Sequence, residues 1–166
     1  QQQPGLPPQT GYDMTYANGL YLVVGKLGPG GANAQYSTDG VNFTSYRIGN
    51  NANPNYGVAY GNGVWVATVG EEEIWYSTEY NPTLSEHWTK ATYPNLGSGY
   101  YQVRYDGIGT FLVVGTSGKL LTSSDGINWT KQTAPSTDTK VSASSLAEKQ
   151  CTTGRTESTV VFNTID

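Results

Sequence analysis

Hydrophobic and polar positions along the chain fall into two kinds of short apolar run. In one kind, large apolar side chains recur at every second residue, as in Tyr56-Gly-Val-Ala-Tyr60 and Tyr101-Gln-Val-Arg-Tyr105. That spacing puts them on one face of a β-strand. The other kind is nearly continuous, as in Leu20–Val24, Val64–Val69 and Phe111–Val114, the pattern of a strand covered on both faces. The runs are joined by Ala17-Asn-Gly19, Gly61-Asn-Gly63 and Asp106-Gly-Ile-Gly109, where Asn-Gly or Asp-Gly supplies the positive φ that a tight hairpin demands. Further glycine turns lead to third strands at 34–37 and 120–123. A Ser-x-Asp-Gly turn then precedes Phe43 or Trp129, which opens an outer strand.

This script is written three times. Its closing glycines fall at 25, 70 and 115, a period of 45 residues. Ser37-Thr-Asp-Gly-Val-Asn-Phe-Thr44 and Ser123-Ser-Asp-Gly-Ile-Asn-Trp-Thr130 keep the same phase, while the middle copy is reduced to Ser77-Thr-Glu79 with its aromatic delayed to Trp88. Four short strands in such a period are the blade of a β-propeller. The expectation is an all-β fold of three propeller-type repeats, a partial or oligomer-completed β-propeller, with a β-trefoil as the alternative. Three blades do not close a ring. The apolar faces of Leu20–Val24 and Phe111–Val114 are therefore expected to be covered by the C-terminal segment or by another subunit.

Around the repeats (12–135) the composition changes. Residues 1–11 hold three prolines and no periodicity and read as an extended arm. Residues 136–166 read as a tail, with a short helix at 145–149 and a strand candidate at 158–165 that completes a blade within the chain or adds to a neighbour. The opening Gln1 suggests a processed or excised piece.

Composition narrows the function. Gly (21) and Tyr (13) are abundant and charged residues make up only 13% of 166, which suits many tight turns. Nine Lys and Arg, unclustered in a chain of net charge −4, argue against nucleic acid. Cys151 stands alone, so neither an intrachain disulfide nor a Cys-pair metal site is expected. No run approaches a membrane span, and no secretory signal opens the sequence.

Ser-x-Asp-Gly-x-Asn-[Phe/Trp]-Thr resembles the Asp-box, the repeat of bacterial neuraminidases and many other propellers. The usual Asp-box has one more residue between Asp and Gly; here Gly40 and Gly126 directly follow Asp39 and Asp125. The whole repeat is similar to ones in bacteriophage virion and bacterial surface proteins. The resemblance implies a propeller blade and little about activity, since an Asp-box is a turn device. Sialidases also clamp a substrate carboxylate with three arginines, which directs attention to Arg47, Arg104 and Arg155. Their positions fit poorly, and Arg47-Ile48 is followed by Gly49 where sialidases carry Pro.

No other catalytic set is recognisable. Glu71–Glu73 reads as a solvated hairpin tip and the single His87 as structural. The sequons at Asn42 and Asn128 are explained by the repeat itself. No cofactor or metal is expected. The aromatic surplus is the stronger signal. Tyr46 and Tyr56 flank an Asn-rich loop, Tyr93, Tyr100 and Tyr101 flank Gly97-Ser-Gly99, and Trp88 lies in the insertion of the middle repeat. Flat apolar rings beside amides suit a protein or glycan surface. Three functions follow. The first is a non-enzymatic structural or adhesive module of an assembly, as a virion component (capsid decoration, tail or fibre) or surface fibre. The second is a lectin closed by oligomerisation, and the third a sialidase-type fragment. The matching partners are proteins in an assembly, as homo-oligomer or scaffold, or a cell-surface glycan, at a virion, extracellular or cell-surface location.

Overall fold

The structure is a computed structural model that describes residues 10–26, 29–49, 53–70, 73–95, 97 and 99–133. The proposed tail, with its helix and strand candidates, Cys151 and Arg155 lie outside these residues. Among the described residues twelve strands run in chain order: β1 (Thr10–Ala17), β2 (Leu20–Lys26), β3 (Ala34–Ser37), β4 (Thr44–Tyr46), β5 (Asn55–Gly61), β6 (Val64–Val69), β7 (Glu73–Ser77), β8 (Thr89–Lys90), β9 (Tyr100–Tyr105), β10 (Phe111–Gly115), β11 (Leu120–Ser123) and β12 (Thr130–Lys131). They form three separate four-stranded antiparallel meanders, β1–β4, β5–β8 and β9–β12, the arrangement of a partial propeller and not of a trefoil. Because β1 opens at Thr10, the first sheet includes two residues that the sequence assigned to the arm.

Register fixes two faces for each sheet. The front face carries the inner-strand tyrosine and its cross-strand aromatic partner: Tyr16 with Tyr21, Tyr60 with Trp65, Tyr105 with Phe111. Their rings lie 4.5–4.8 Å apart in all three sheets. The sheets stack back to front. Leu20, Leu22, Val24 and Ala34 on the back of the first meet Val58, Trp65, Ala67, Val69 and Trp75 on the front of the second. Ala59, Val64, Val66 and Ile74 on the back of the second meet Val103, Phe111, Val113 and Leu121 on the front of the third. The middle sheet thus covers Leu20, Leu22 and Val24 of the first run and Phe111 and Val113 of the last, and its own β6, placed between two neighbours, is buried along its whole length. On the other face of the third sheet, Val114 and Leu120 form a separate buried cluster with Leu112 against it. The tail or another subunit was expected to cover both runs; one face of each is covered by the middle sheet instead.

Each Ser-x-Asp-Gly segment is a self-contained turn. Asp39 accepts the backbone N–H groups of Val41 and Asn42 and the Asn42 side-chain amide, all at 2.8 Å. Ser37 Oγ donates to the same carboxylate and accepts the Gly40 N–H. Asp125 repeats the pattern with Ile127, Asn128 and Ser123. Gly40 and Gly126 both take φ 72°, a conformation that glycine adopts without strain. The N–H donors, Asn42 first, hold the Asp39 carboxyl well below the ordinary carboxylate range. Burial pushes Asp125 up, but donors led by Asn128 outweigh it, and the donors of Thr110, Ile108 and Gly109 do the same against burial for Asp106.

A carboxyl whose pKa is lower folded than unfolded contributes stability above its unfolded value, about 3.9, that is lost as pH falls toward the folded value. The urea midpoint is therefore expected to stay level from neutral pH to about pH 5 and to fall below about pH 4. Asp39→Asn with Asp125→Asn should flatten that fall, and an acid limb of unchanged slope in the double variant would contradict this origin.

Two asparagines staple the stack. Asn18 and Asn62 occupy the left-handed corner of the first hairpin of their sheets (φ 54° and 48°). Asn18 Nδ2 donates across to Tyr80 O of the second sheet at 3.0 Å, and Asn62 Nδ2 to Ser124 O of the third at 3.2 Å. The third sheet replaces this hairpin by Asp106–Thr110, closed on the Asp106 carboxylate.

Candidate functional site

The front of the first sheet has no sheet against it among the described residues. Its repeat positions match those buried in the other two: Met14 corresponds to Val58 and Val103, Val23 to Ala67 and Val113, and Tyr21 to Trp65 and Phe111. Met14 is 55% exposed and Tyr16 58%, whereas Val58 is 2% and Val103 0% exposed. The aromatic after the Ser-x-Asp-Gly turn, or its degenerate middle copy, tells the same story. Phe43 is 40% exposed, against 4% for Trp88 and 5% for Trp129. Toward the outer strand the surface turns polar, with Gln35 Nε2 donating to Ser45 Oγ where the other sheets carry Trp75 and Leu121. The result is an uncharged patch of Met14, Tyr16, Tyr21, Val23 and Phe43 with an amide rim, the makeup of a protein-binding surface.

On the inner strands, β-bulges at equivalent places put Tyr12, Tyr56 and Tyr101 out of register with their neighbours. Tyr12 and Tyr56 stack at 5.3 Å with an interplanar angle of 8°. Beside them Asp13 joins all three sheets. Its Oδ2 accepts Arg104 Nη1 of the third at 2.6 Å and the Val58 N–H of the second at 3.0 Å. Arg104 is thus the partner of a structural carboxylate. Arg47, at the far edge of the first sheet, donates to the carbonyls of Gly30 and Gly31. The two described arginines are not brought together as a clamp.

The aromatic candidates separate by environment. Trp88 is core, buried between the first two sheets, which corrects its assignment to a surface. Tyr46 packs on the same cluster and donates to Pro82 O at 2.8 Å. Burial pushes its hydroxyl up, the Trp88 side chain acting against it. The Tyr80–Pro82 stretch, anchored by Asn18 and Tyr46, braces the second sheet against the first. Tyr93 is half-buried and lines an open depression of about 610 Å³ with Glu73, Lys90, Thr92 and Asn95. There Glu73 accepts Lys90 Nζ at 3.0 Å; its hydrogen bond raises the Lys90 pKa, and burial raises that of Tyr93. Tyr100 and Tyr101 have backbones in β9; their side chains lie outside what the structure describes. His87 Nδ1 accepts the Leu84 N–H, a structural place. Of the Glu run only Glu73 is described. Among the described residues no cluster of His, Cys, Asp or Glu is arranged to hold a metal ion, and no helix is long and apolar enough to cross a membrane.

No protein-family model and no curated protein matches the sequence. Solved structures do. YCF48 from Cyanidioschyzon merolae superposes with a TM-score of 0.55 at 16% identity, over 73% of this chain and 36% of that one. A YCF48 bound to a D1 peptide gives 0.59 at 14%, over 74% and 40%. Virginiamycin B lyase from Staphylococcus aureus gives 0.59 at 15%, over 77% and 42%. PorZ, a surface component of the type-IX secretion system of Porphyromonas gingivalis, gives 0.57 at 11%, over 81% and 17%. The shared feature is the β-propeller fold. At these identities the likeness carries fold alone, and the neighbours span a lyase and a surface component. The chain spans less than half the length of each.

Met14, Tyr16 and Phe43 are the residues that sequence reasoning missed. Aligning Tyr12-Asp-Met-Thr-Tyr16 with the inner runs of the other repeats identifies Met14 and Tyr16 as seam positions. Only the stacking order shows that their seam is open.

Proposed function

We propose that this protein is a non-enzymatic structural or adhesive module that joins a larger assembly by docking the open face of its first sheet onto a protein partner. The observation that carries this reading is the exposure of Met14 and Phe43 at repeat positions buried in both other sheets, and of Tyr16 where Tyr60 and Tyr105 are partly buried. Neighbours of the same fold include a peptide-bound protein and a bacterial surface component. In its finer form the module is a virion component or surface fibre, a reading that rests on the similarity of its repeats to those of bacteriophage virion and bacterial surface proteins. The lectin alternative draws on one feature, the depression lined by Tyr93, Asn95 and the Lys90–Glu73 pair, and predicts glycan-array binding that Tyr93→Ala abolishes.

Surface positions kept for a partner contribute little to the fold that displays them. Met14→Ala with Tyr16→Ala is expected to cost less than about 1 kcal/mol. Val103→Ala, at the position equivalent to Met14, is expected to cost about 2 kcal/mol. In purified particles or surface fractions from its source, the folded double variant should be lost from the assembly. Incorporation at the parental level would overturn the reading.

A further inference from the structure

The chain itself shows what fits the front of one of its sheets, because it forms that interface twice. The incoming tyrosine needs a small residue opposite. Tyr60 and Ala17 both pack against the seam between the first two sheets, and the Tyr105 ring sits so close to Gly61 that a Cβ there would overlap it. The residue after that small one is the stapling Asn, Asn18 or Asn62. The Asp-box glycine presses on the preceding sheet: a Cβ on Gly126 would lie 2.9 Å from Val66 and 3.1 Å from Val64, whereas one on Gly40 meets only its own sheet's Tyr21. The third sheet does not offer this socket to another copy. Asp106, its carboxylate held by loop amides, stands where Ala17 and Gly61 stand, the stapling Asn is missing, and Arg104 and Thr122 replace the Ala59 and Tyr76 of the second sheet's back face.

We infer that the open face formed by Met14, Tyr16, Tyr21 and Val23 docks one further four-stranded blade, contributed from outside residues 1–166, that presents an aliphatic back face and a small-Asn-Gly hairpin. Tyr16 fills the slot beside the small residue, and the hairpin Asn donates to the carbonyl of Thr38, the equivalent of Ser124. The interface is heterologous, so it adds a blade in sequence and does not pair two copies front to front. This deepens the assembly reading and rests on it.

The single methionine makes a direct reporter. In the full chain, residues 10–53 are repeated once ahead of Thr10, with Met14→Leu in the added copy so that only the original Met14 is read. Peroxide oxidation of Met14, followed by mass spectrometry, is expected to slow about tenfold or more relative to the parent. A second version carrying Ala17→Asp and Asn18→Asp in the added copy should restore the parental rate. Unslowed oxidation beside a folded added repeat overturns the inference, as does an added repeat that stays unfolded on three intact sheets. A parental dimer by light scattering that already protects Met14, and that Tyr16→Glu dissociates, would make a second copy the occupant and overturn it too. Each of these outcomes is separate from the incorporation test of the assembly reading, which uses the chain without any added repeat.

Discussion

Phe111→Ala is expected to remove about 3–5 kcal/mol of unfolding free energy, a large share of what a domain of this size possesses. The ring is fully buried in the seam between the second and third sheets. It contacts Tyr105 at 4.8 Å and Trp129 at 6.3 Å between centroids. Trp129 in turn donates its indole N–H to Gly126 O at 3.1 Å, so the cavity would open beneath the Ser-x-Asp-Gly turn as well as between the sheets. Both walls are strands held by their own ladders, which limits collapse into the void and places the cost at the high end. Denaturant titration reads it directly. A loss below about 1 kcal/mol would mean that the seam closes over the gap and that the two sheets are not rigidly registered.

Gly25→Ala is expected to lower Tm by about 4–12 °C, from an overpacking cost of about 1–3 kcal/mol. A Cβ on Gly25 would overlap the Thr10 carbonyl oxygen. Because the obstacle is backbone, no rotamer change relieves it, and the start of β1 has to move. That strand carries the bulge at Tyr12 and the Asp13 carboxylate that ties the three sheets together. The expected loss therefore extends beyond one contact. Gly115 meets the Gly99 carbonyl oxygen in the same way, whereas Gly70 is required by its φ of 59°. A thermal melt of Gly25→Ala indistinguishable from the parent would show that the edge of β1 yields freely.

The three closing glycines illustrate how far the sequence could be read. Their spacing announced three repeats, yet two physical reasons stand behind one letter, and only coordinates separate close approach from left-handed backbone. Trp88 is a similar case. As the delayed aromatic of the middle repeat it belongs with Trp129, and both are buried; read as part of an insertion it looked like a surface ring. Arg104 was legible as a strand residue, while its partner Asp13 lies 91 positions away, a distance at which no local pattern signals contact.

Strand placement, the number of repeats and the turn chemistry were determined by the sequence alone, because they arise from neighbours in the chain. Alternation chooses a strand's faces, Asn-Gly supplies positive φ, and a Ser-x-Asp-Gly turn satisfies its own donors within six residues. The fate of each face was decided only by tertiary structure. Tyr16, Tyr60 and Tyr105 are the same letter in the same motif, and local physics treats them alike. What distinguishes them is whether a preceding sheet stands against them. Burial is a property of the neighbour as much as of the residue, and for Tyr16 the described chain supplies no such sheet.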